Sequence, residues 1–163
     1  MGTKELVLRM LECQRDRHVS GAWLAEELGV TRNAEVLRAE GYVVEAATNR
    51  GYRLAQENDL LSPASIERFL PDGHPFDITV RKSVDSTNAE ARRRALEGAP
   101  EGVVVVAEEQ TAGRGRLGKT FYSPAGAGVY LSVVLRPRLQ ADAAQYLTCA
   151  AAVACAQAIE AVT

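Results

Sequence analysis

Val103–Ala107 is a run of four valines and an alanine with no polar break. Strict alternation would mark a strand with one wet face. A continuous β-branched run marks a strand buried on both faces. Such a strand needs strands beside it and helices over it, so the second part of the chain is expected to be mixed α/β. The flanking pattern agrees. Ile78–Lys82 and Val129–Leu135 have strand composition, and Pro137 ends the latter. Thr87-Asn88-Ala89-Glu90 has the form of a capping box, opening a helix that runs to Glu97 with Gly98 after it. Ala141–Val162 reads as one long helix of small residues.

Residues 1–54 read as a separate unit. Leu6, Val7, Met10 and Leu11 recur at helical spacing and predict a helix from about Thr3 to Gln14. Residues 21–28 predict a short second helix, with Ser20 before it and Gly29 closing it. Thr31 is the expected N-cap of a third helix, Arg32–Glu40, closed by Gly41. Tyr42–Ala46 and Tyr52–Leu54 have strand composition around the turn Thr48-Asn49-Arg50-Gly51. This order is that of a winged helix-turn-helix. Thr31, Arg32 and Asn33 supply the short polar turn that reaches base edges, and Arg50 and Arg53 suit backbone phosphates. The competing reading is a small helical domain that binds protein or nothing. The third helix is short for its role. Its apolar middle turn is missing between Ala34 and Glu35, and residues omitted there are the expected reason.

Residues 55–61 are a polar linker. Ser62-Pro63 opens another helix, with Ile66, Phe69 and Leu70 as its apolar face and Pro71 as its stop. The expected division is therefore 1–54, 55–61 and 62–163.

The net charge of −2 argues against a uniformly basic nucleic-acid coat. The excess is local: residues 79–138 carry ten Lys/Arg against six Asp/Glu. An anionic ligand is to be sought there. Cys13, Cys149 and Cys155 are in no metal spacing, and the last two are expected to be buried thiols in their Ala-rich stretch. That fits a reducing compartment. Lys4, Glu5 and Arg9 interrupt any signal-peptide core, and polar residues break up Ala141–Val162, so a cytoplasmic protein without a membrane span is expected. His18 and His74 have no ligand partners at metal spacing, and no metal site is expected.

Gly113-Arg114-Gly115-Arg116-Leu117-Gly118-Lys119-Thr120 matches the spacing G-x-x-x-x-G-K-S/T of a phosphate-binding P-loop. A P-loop hands its Lys-Thr directly to a helix. Here Phe121-Tyr122-Ser123-Pro124-Ala125-Gly126-Ala127-Gly128 follows, and aromatics, a proline and glycines oppose that helix. A P-loop nucleotidase and a plain solvated turn are the competing readings. Three glycines still let backbone amides turn inward on an anion, and Arg114, Arg116 and Lys119 add charges suited to carboxylate and phosphate. Ser86-Thr87-Asn88 stands at a strand end, where ligands bind, although alone it is only a helix cap. Gln110 adds a neutral hydrogen-bonding group. Together these suit a small polar head such as a ureido ring.

These residues resemble a known family. Val84-Asp85-Ser86-Thr87-Asn88, the stretch Val106–Gly118, Phe121–Gly126 and Tyr130-Leu131-Ser132 look like the bifunctional biotin protein ligase/biotin operon repressor family, and Val19–Val30 and Gly41–Leu54 look like its winged helix domain. The resemblance implies an α+β chain: a winged helix-turn-helix followed by the first part of a mixed-sheet catalytic domain of the class II aminoacyl-tRNA synthetase type. It implies biotin and ATP, with Mg2+ accompanying ATP, and biotinyl-5′-AMP as intermediate. The partners implied are the biotin acceptor domain of a carboxylase, operator DNA and a second copy in a homodimer.

The resemblance places Ser86, Thr87, Asn88, Gln110, Arg114, Gly115 and Arg116 at biotin. It makes Arg114, Arg116 and Lys119 the catalytic cations. It puts Gly113, Gly118 and Phe121 at the adenylate. Thr163 falls inside what the resemblance makes the middle of the catalytic domain. The family's lysine in a Lys-Trp-x-Asn-Asp stretch and its small β-domain would follow. A chain ending there is expected to show no ligase turnover and an exposed sheet edge. A biotin-sensing regulator without catalysis shares every residue visible here. A lipoate-type ligase shares the fold, but the Gly-Arg-Gly-Arg loop argues against it.

Overall fold

The computed structural model of the chain describes residues 2–15, 17–20 and 30–163; the side chains of 30–32, 116, 141 and 142 lie outside that description. The helix expected over 21–28 lies outside it too.

Helix α1 spans Thr3–Cys13 and buries Val7, Leu8, Leu11 and Glu12. Helix α2 spans Val30–Ala39. Thr31 therefore lies within the helix and not at its N-cap, because the helical backbone already includes Val30. The helix runs through Ala34 and Glu35 without a break. Ala34 and Leu37, one turn apart, are both buried, which lets so short a helix dock. Gly41, at φ +101, ends it, and the Tyr42 N–H donates back to the Leu37 carbonyl at 3.0 Å.

Strands β1 (Val44–Ala47) and β2 (Gly51–Leu54) form an antiparallel hairpin. The connection uses Asn49 at φ 61 and Gly51 at φ 97, both left-handed. Val19 bridges to Tyr52 on the outer side of β2. The Arg38 guanidinium donates to the Val44 carbonyl at 3.1 and 2.8 Å and so fastens the hairpin to α2. Val7, Leu11, Leu37, Tyr42, Val44 and Leu54 form the core of this unit. Burial pushes the Tyr42 phenol above its ordinary range.

The polar linker is not free chain. Asn58 accepts from the Val43 N–H at 2.7 Å and donates to the carbonyls of Val43 at 3.0 Å and Ala55 at 2.9 Å. Helix α3 spans Pro63–Glu67. The Ser62 and Ser65 hydroxyls cap each other's backbone N–H at 3.0 and 2.9 Å. Ala64 of α3 joins the α1–α2 core. Phe69 does not belong to the expected apolar face: it is 75% exposed, with the Arg68 guanidinium 4.3 Å over its ring. The helix stops at Glu67, so Phe69 no longer follows its apolar stripe.

Strands β3 (Asp77–Val84), β4 (Val103–Gln110) and β5 (Tyr130–Val133) make a mixed sheet in the order β3-β4-β5. β3 and β4 are parallel, and β5 is antiparallel to β4. Val103 and Val105 on one face of the central strand pack with Ala91 and Val134. Val106 on the other face is also buried, as the apolar run requires. Helix α4 (Thr87–Leu96) provides the crossover between the parallel strands. The expected capping box is not formed. Ser86 is the N-cap residue, and Glu90 turns away to Arg93 and Arg94. Arg136 closes the other end of α4, donating to the Ala95 carbonyl at 2.9 Å and the Ala99 carbonyl at 2.7 Å.

A 3-10 turn, Ala141–Ala144, leads into helix α5, Gln145–Glu160, which has no buried residue. Cys149 and Cys155 are exposed, against expectation, because no described residue packs over this helix. Among the described residues, no helix is long and apolar enough to cross a membrane.

Candidate functional site

Parallel pairing of β3 with β4 puts Val84 opposite Gln110, so both strands deliver their carboxyl ends to one place. The chain leaves β3 through Asp85 and Ser86 and enters α4 at Thr87. The Gln110 side chain reaches across to meet it. Its Oε1 accepts from the Thr87 backbone N–H at 2.8 Å and from the Thr87 hydroxyl at 3.2 Å. The Ser132 hydroxyl on β5 donates to the Thr87 hydroxyl at 3.0 Å. Gln110 Nε2 donates to the Ser123 hydroxyl at 3.0 Å, and that hydroxyl donates to the Phe121 carbonyl at 3.2 Å. Ser86, Thr87 and Ser123 are buried, and Gln110 is half-buried. Ser86 makes no side-chain cap bond. Asn88 is exposed on the first turn of α4.

The glycine–arginine segment is a hairpin that continues β4. Its base is closed by the Gln110 N–H donating to the Ser123 carbonyl at 3.0 Å. Phe121 N–H donates to the Gly113 carbonyl at 2.9 Å, and Gly115 N–H to the Lys119 carbonyl at 2.7 Å. The tip bends at Leu117 (φ 57) and Gly118 (φ 76). Thr120 thus pairs back with Arg114 instead of opening a helix, which is the context a P-loop lacks. Gly113 is where the two arms touch. A Cβ there would lie 2.4 Å from the Phe121 carbonyl oxygen and 2.7 Å from Ser123 Oγ, so only glycine fits. At Gly115 a Cβ would meet the Lys119 carbonyl oxygen at 3.2 Å.

Two further bonds anchor the hairpin to the end of β3. Thr111 N–H donates to the Val84 carbonyl and Ala112 N–H to the Asp85 carbonyl, both at 2.8 Å. The Asp85 carboxylate takes both Arg93 guanidinium nitrogens at 2.9 Å. That bidentate bond, with the Ser86 N–H second, holds the Asp85 carboxyl well below the usual carboxylate range. Arg93 and Arg94 likewise lower Glu90.

The family model of the biotin/lipoate A/B protein ligase family matches residues 80–163, which spans all of these groups. The chain belongs to that family. Among curated proteins it is similar to the bifunctional ligase/repressor BirA of Bacillus subtilis (strain 168), 40% identical over 148 residues, covering 87% of this chain and 46% of that one. It is also similar to the bifunctional ligase/repressor BirA of Escherichia coli (strain K12), 37% identical over 122 residues, or 72% of this chain and 37% of that protein. A third relative, the biotin--[acetyl-CoA-carboxylase] ligase of Mycobacterium tuberculosis, is 41% identical over 87 residues, or 49% of this chain and 33% of its own length. The chain spans about half the length, 46%, of the Bacillus relative.

In this family member, the structure joins Thr87 and Gln110 directly and sets Ser86 beside them. Arg114 and Lys119 are exposed on the hairpin, and Phe121 is half-exposed at its return arm. Of Arg116 the backbone alone is described, in the 3-10 turn Arg116–Gly118. Arg50 is exposed in the β1–β2 turn, whereas Arg53 is paired with Glu45 across the hairpin and so competes for any phosphate. Thr31 and Arg32 are described only as backbone of α2, as is the case for the start of that helix. Sequence reasoning assigned no role to Ser123 or Ser132, although both lie in the quoted motifs. The available signal was a serine in the otherwise apolar run Tyr130–Leu135. His74 takes the Phe76 N–H on Nδ1 at 3.2 Å, within its own loop.

Chemically, the site offers two kinds of group. At the strand ends are neutral donors and acceptors: the Ser86 hydroxyl, the Asn88 amide and the Gln110 carboxamide. On the hairpin are cations. That combination accommodates a ligand with a neutral polar head and an anionic end.

Proposed function

We propose that the full protein is an ATP-dependent biotin protein ligase that is also a biotin-responsive repressor. Ser86, Thr87, Asn88 and Gln110 hold the ureido ring. Gly113–Lys119 closes over biotin and adenylate, with Arg114, Gly115 and Arg116 at the biotin carboxylate side. Gly113, Gly118 and Phe121 border the adenylate, the aromatic ring facing adenine. A biotin carboxylate oxygen forms a bond to the α-phosphorus of ATP, and pyrophosphate leaves. Two anions must meet for this, so Arg114, Arg116 and Lys119 offset their repulsion, and the closed hairpin keeps water from the anhydride. A lysine amine of a carboxylase acceptor domain then bonds to the biotinyl carbonyl, releasing AMP and a proton. Mg2+ belongs to this proposal as the partner of the ATP phosphates.

Residues 1–54 form the winged helix-turn-helix in this reading, 55–61 the linker, and 62–163 the first part of the ligase domain. Thr31, Arg32 and Asn33 face operator DNA, with Arg50 on the wing. Biotinyl-adenylate favours a homodimer that spans two half-sites. The setting is cytoplasmic. The observation that carries the proposal is the direct Thr87–Gln110 bond beneath a glycine–arginine hairpin, in a chain of this family. The test is incubation of the full protein with ATP, biotin and an acceptor domain, read by intact mass of the acceptor. Biotin added to the acceptor lysine supports the ligase. Biotin binding without transfer favours a non-catalytic sensor.

A further inference from the structure

The hydrogen-bond polarity around Gln110 is fully determined. The Thr87 backbone N–H can only donate, so the atom facing it at 2.8 Å must be Oε1. The Thr87 hydroxyl at 3.2 Å takes the second lone pair of Oε1. Nε2 therefore faces Ser123, 3.0 Å away. The Ser123 hydroxyl spends its own proton on the Phe121 carbonyl at 3.2 Å, which makes its oxygen an acceptor toward Gln110. One Nε2 proton is thus bound inside the protein. The second has no partner among the described residues, and Gln110 is half-buried. Ser123 itself is only 2% exposed. It is also held by backbone, since its carbonyl accepts from the Gln110 N–H at 3.0 Å, and Gly113 presses against it without room for a Cβ.

From this arrangement we infer that Ser123 is a positioning residue. It holds the Gln110 carboxamide so that Gln110 meets the ligand as a single N–H donor, never as an acceptor, and it ties that donor to the base of the hairpin. Gln110 then recognises a carbonyl-type oxygen on the ligand head. The inference rests on the biotin reading above. Ser123 touches no substrate in it and acts through Gln110.

The test is a calorimetric cycle with biotin on the wild-type protein, Ser123→Ala, Gln110→Ala and the double variant, with a melting temperature for each. The expected result is biotin affinity about tenfold weaker in Ser123→Ala, and no further loss when Ser123→Ala is added to Gln110→Ala. A merely structural serine would weaken the Gln110→Ala background by the same factor, and that result overturns the inference, as does an unchanged Ser123→Ala. No biotin heat from the wild-type protein instead overturns the biotin reading. Should Ser123→Ala fail to fold, proton–nitrogen spectra of the wild type decide. One Gln110 Nε2 proton should exchange slowly and the other should shift on adding biotin. Two equivalent, fast-exchanging protons contradict the inference.

Discussion

The Thr87 amide donates to the Gln110 side chain at 2.8 Å although 23 residues separate them. The β3–β4 register brings this about by pairing Val84 with Gln110, three positions before Thr87. A strand pairing therefore decides the chemistry of the site. Sliding β3 by one residue would turn each of its side chains to the other face and separate the two groups.

The Thr87 hydroxyl serves two partners, receiving from Ser132 and donating to Gln110. Thr87→Val keeps the shape and leaves the half-buried Ser132 hydroxyl without its acceptor. A stability loss of about 1–2 kcal/mol is expected, read as a lower urea midpoint at unchanged slope. The backbone bond to Gln110 persists, so the three-stranded sheet keeps its register.

Gly113 and Gly118 separate space from conformation. Gly113→Ala drives a methyl group into backbone and into Ser123, so the hairpin base must open. A cost of about 1–3 kcal/mol is expected, with biotin affinity falling at least tenfold. Gly118→Ala meets open space and carries only the strain of φ +76, about 1 kcal/mol. Calorimetry and thermal melts on both variants check the contrast.

Asp85 and Arg93 give a pH signature. The folded carboxyl is held below its unfolded value, so the pair stabilises the protein above the ordinary carboxylate range and stops doing so as pH falls. Asp85→Asn should therefore melt below the wild type near neutrality. The gap should narrow below about pH 4 as the unfolded chain takes up the proton, and high salt should shrink it at pH 7 because both groups are half-exposed. Thermal melts across pH and salt provide the check.

Glu12 is the most deeply placed charge described, with its side chain fully buried, 2.8 Å from Arg15 and 3.7 Å from Arg68. Arg15 also donates to the Asn58 carbonyl at 3.0 Å. The group thus ties α1 to the linker and to the start of the second unit. Glu12→Gln leaves Arg15 without its counter-charge and should cost about 3 kcal/mol. In a denaturant-midpoint cycle with Arg15→Met the two losses should not add.

Much of this was legible in the sequence. The valine run gave the central strand, because no other element tolerates apolar residues at every position. The Gly41 stop and the Ser62-Pro63 start depend on local chemistry and are legible in it, whereas Gln110–Lys119 reads only as a Gly/Arg loop and its pairing into a hairpin comes from the structure. Burial was not legible where it depends on what lies over an element. Cys149 and Cys155 sit in an apolar helix, yet nothing described covers them. The Thr87–Glu90 spacing fits a capping box, but two arginines one turn later compete for Glu90 and win it. Ser123 escaped notice because its role needs the hairpin to fold back by thirteen residues onto Gln110.

The central claim is that the glycine–arginine hairpin and the Thr87–Gln110 pair enclose biotin. Calorimetric titration of the protein with biotin, and separately with ATP and GTP, tests it most directly. The account predicts one-site heat with biotin that Arg114→Ala weakens. Tight binding of ATP or GTP alone, with no heat from biotin, would contradict it.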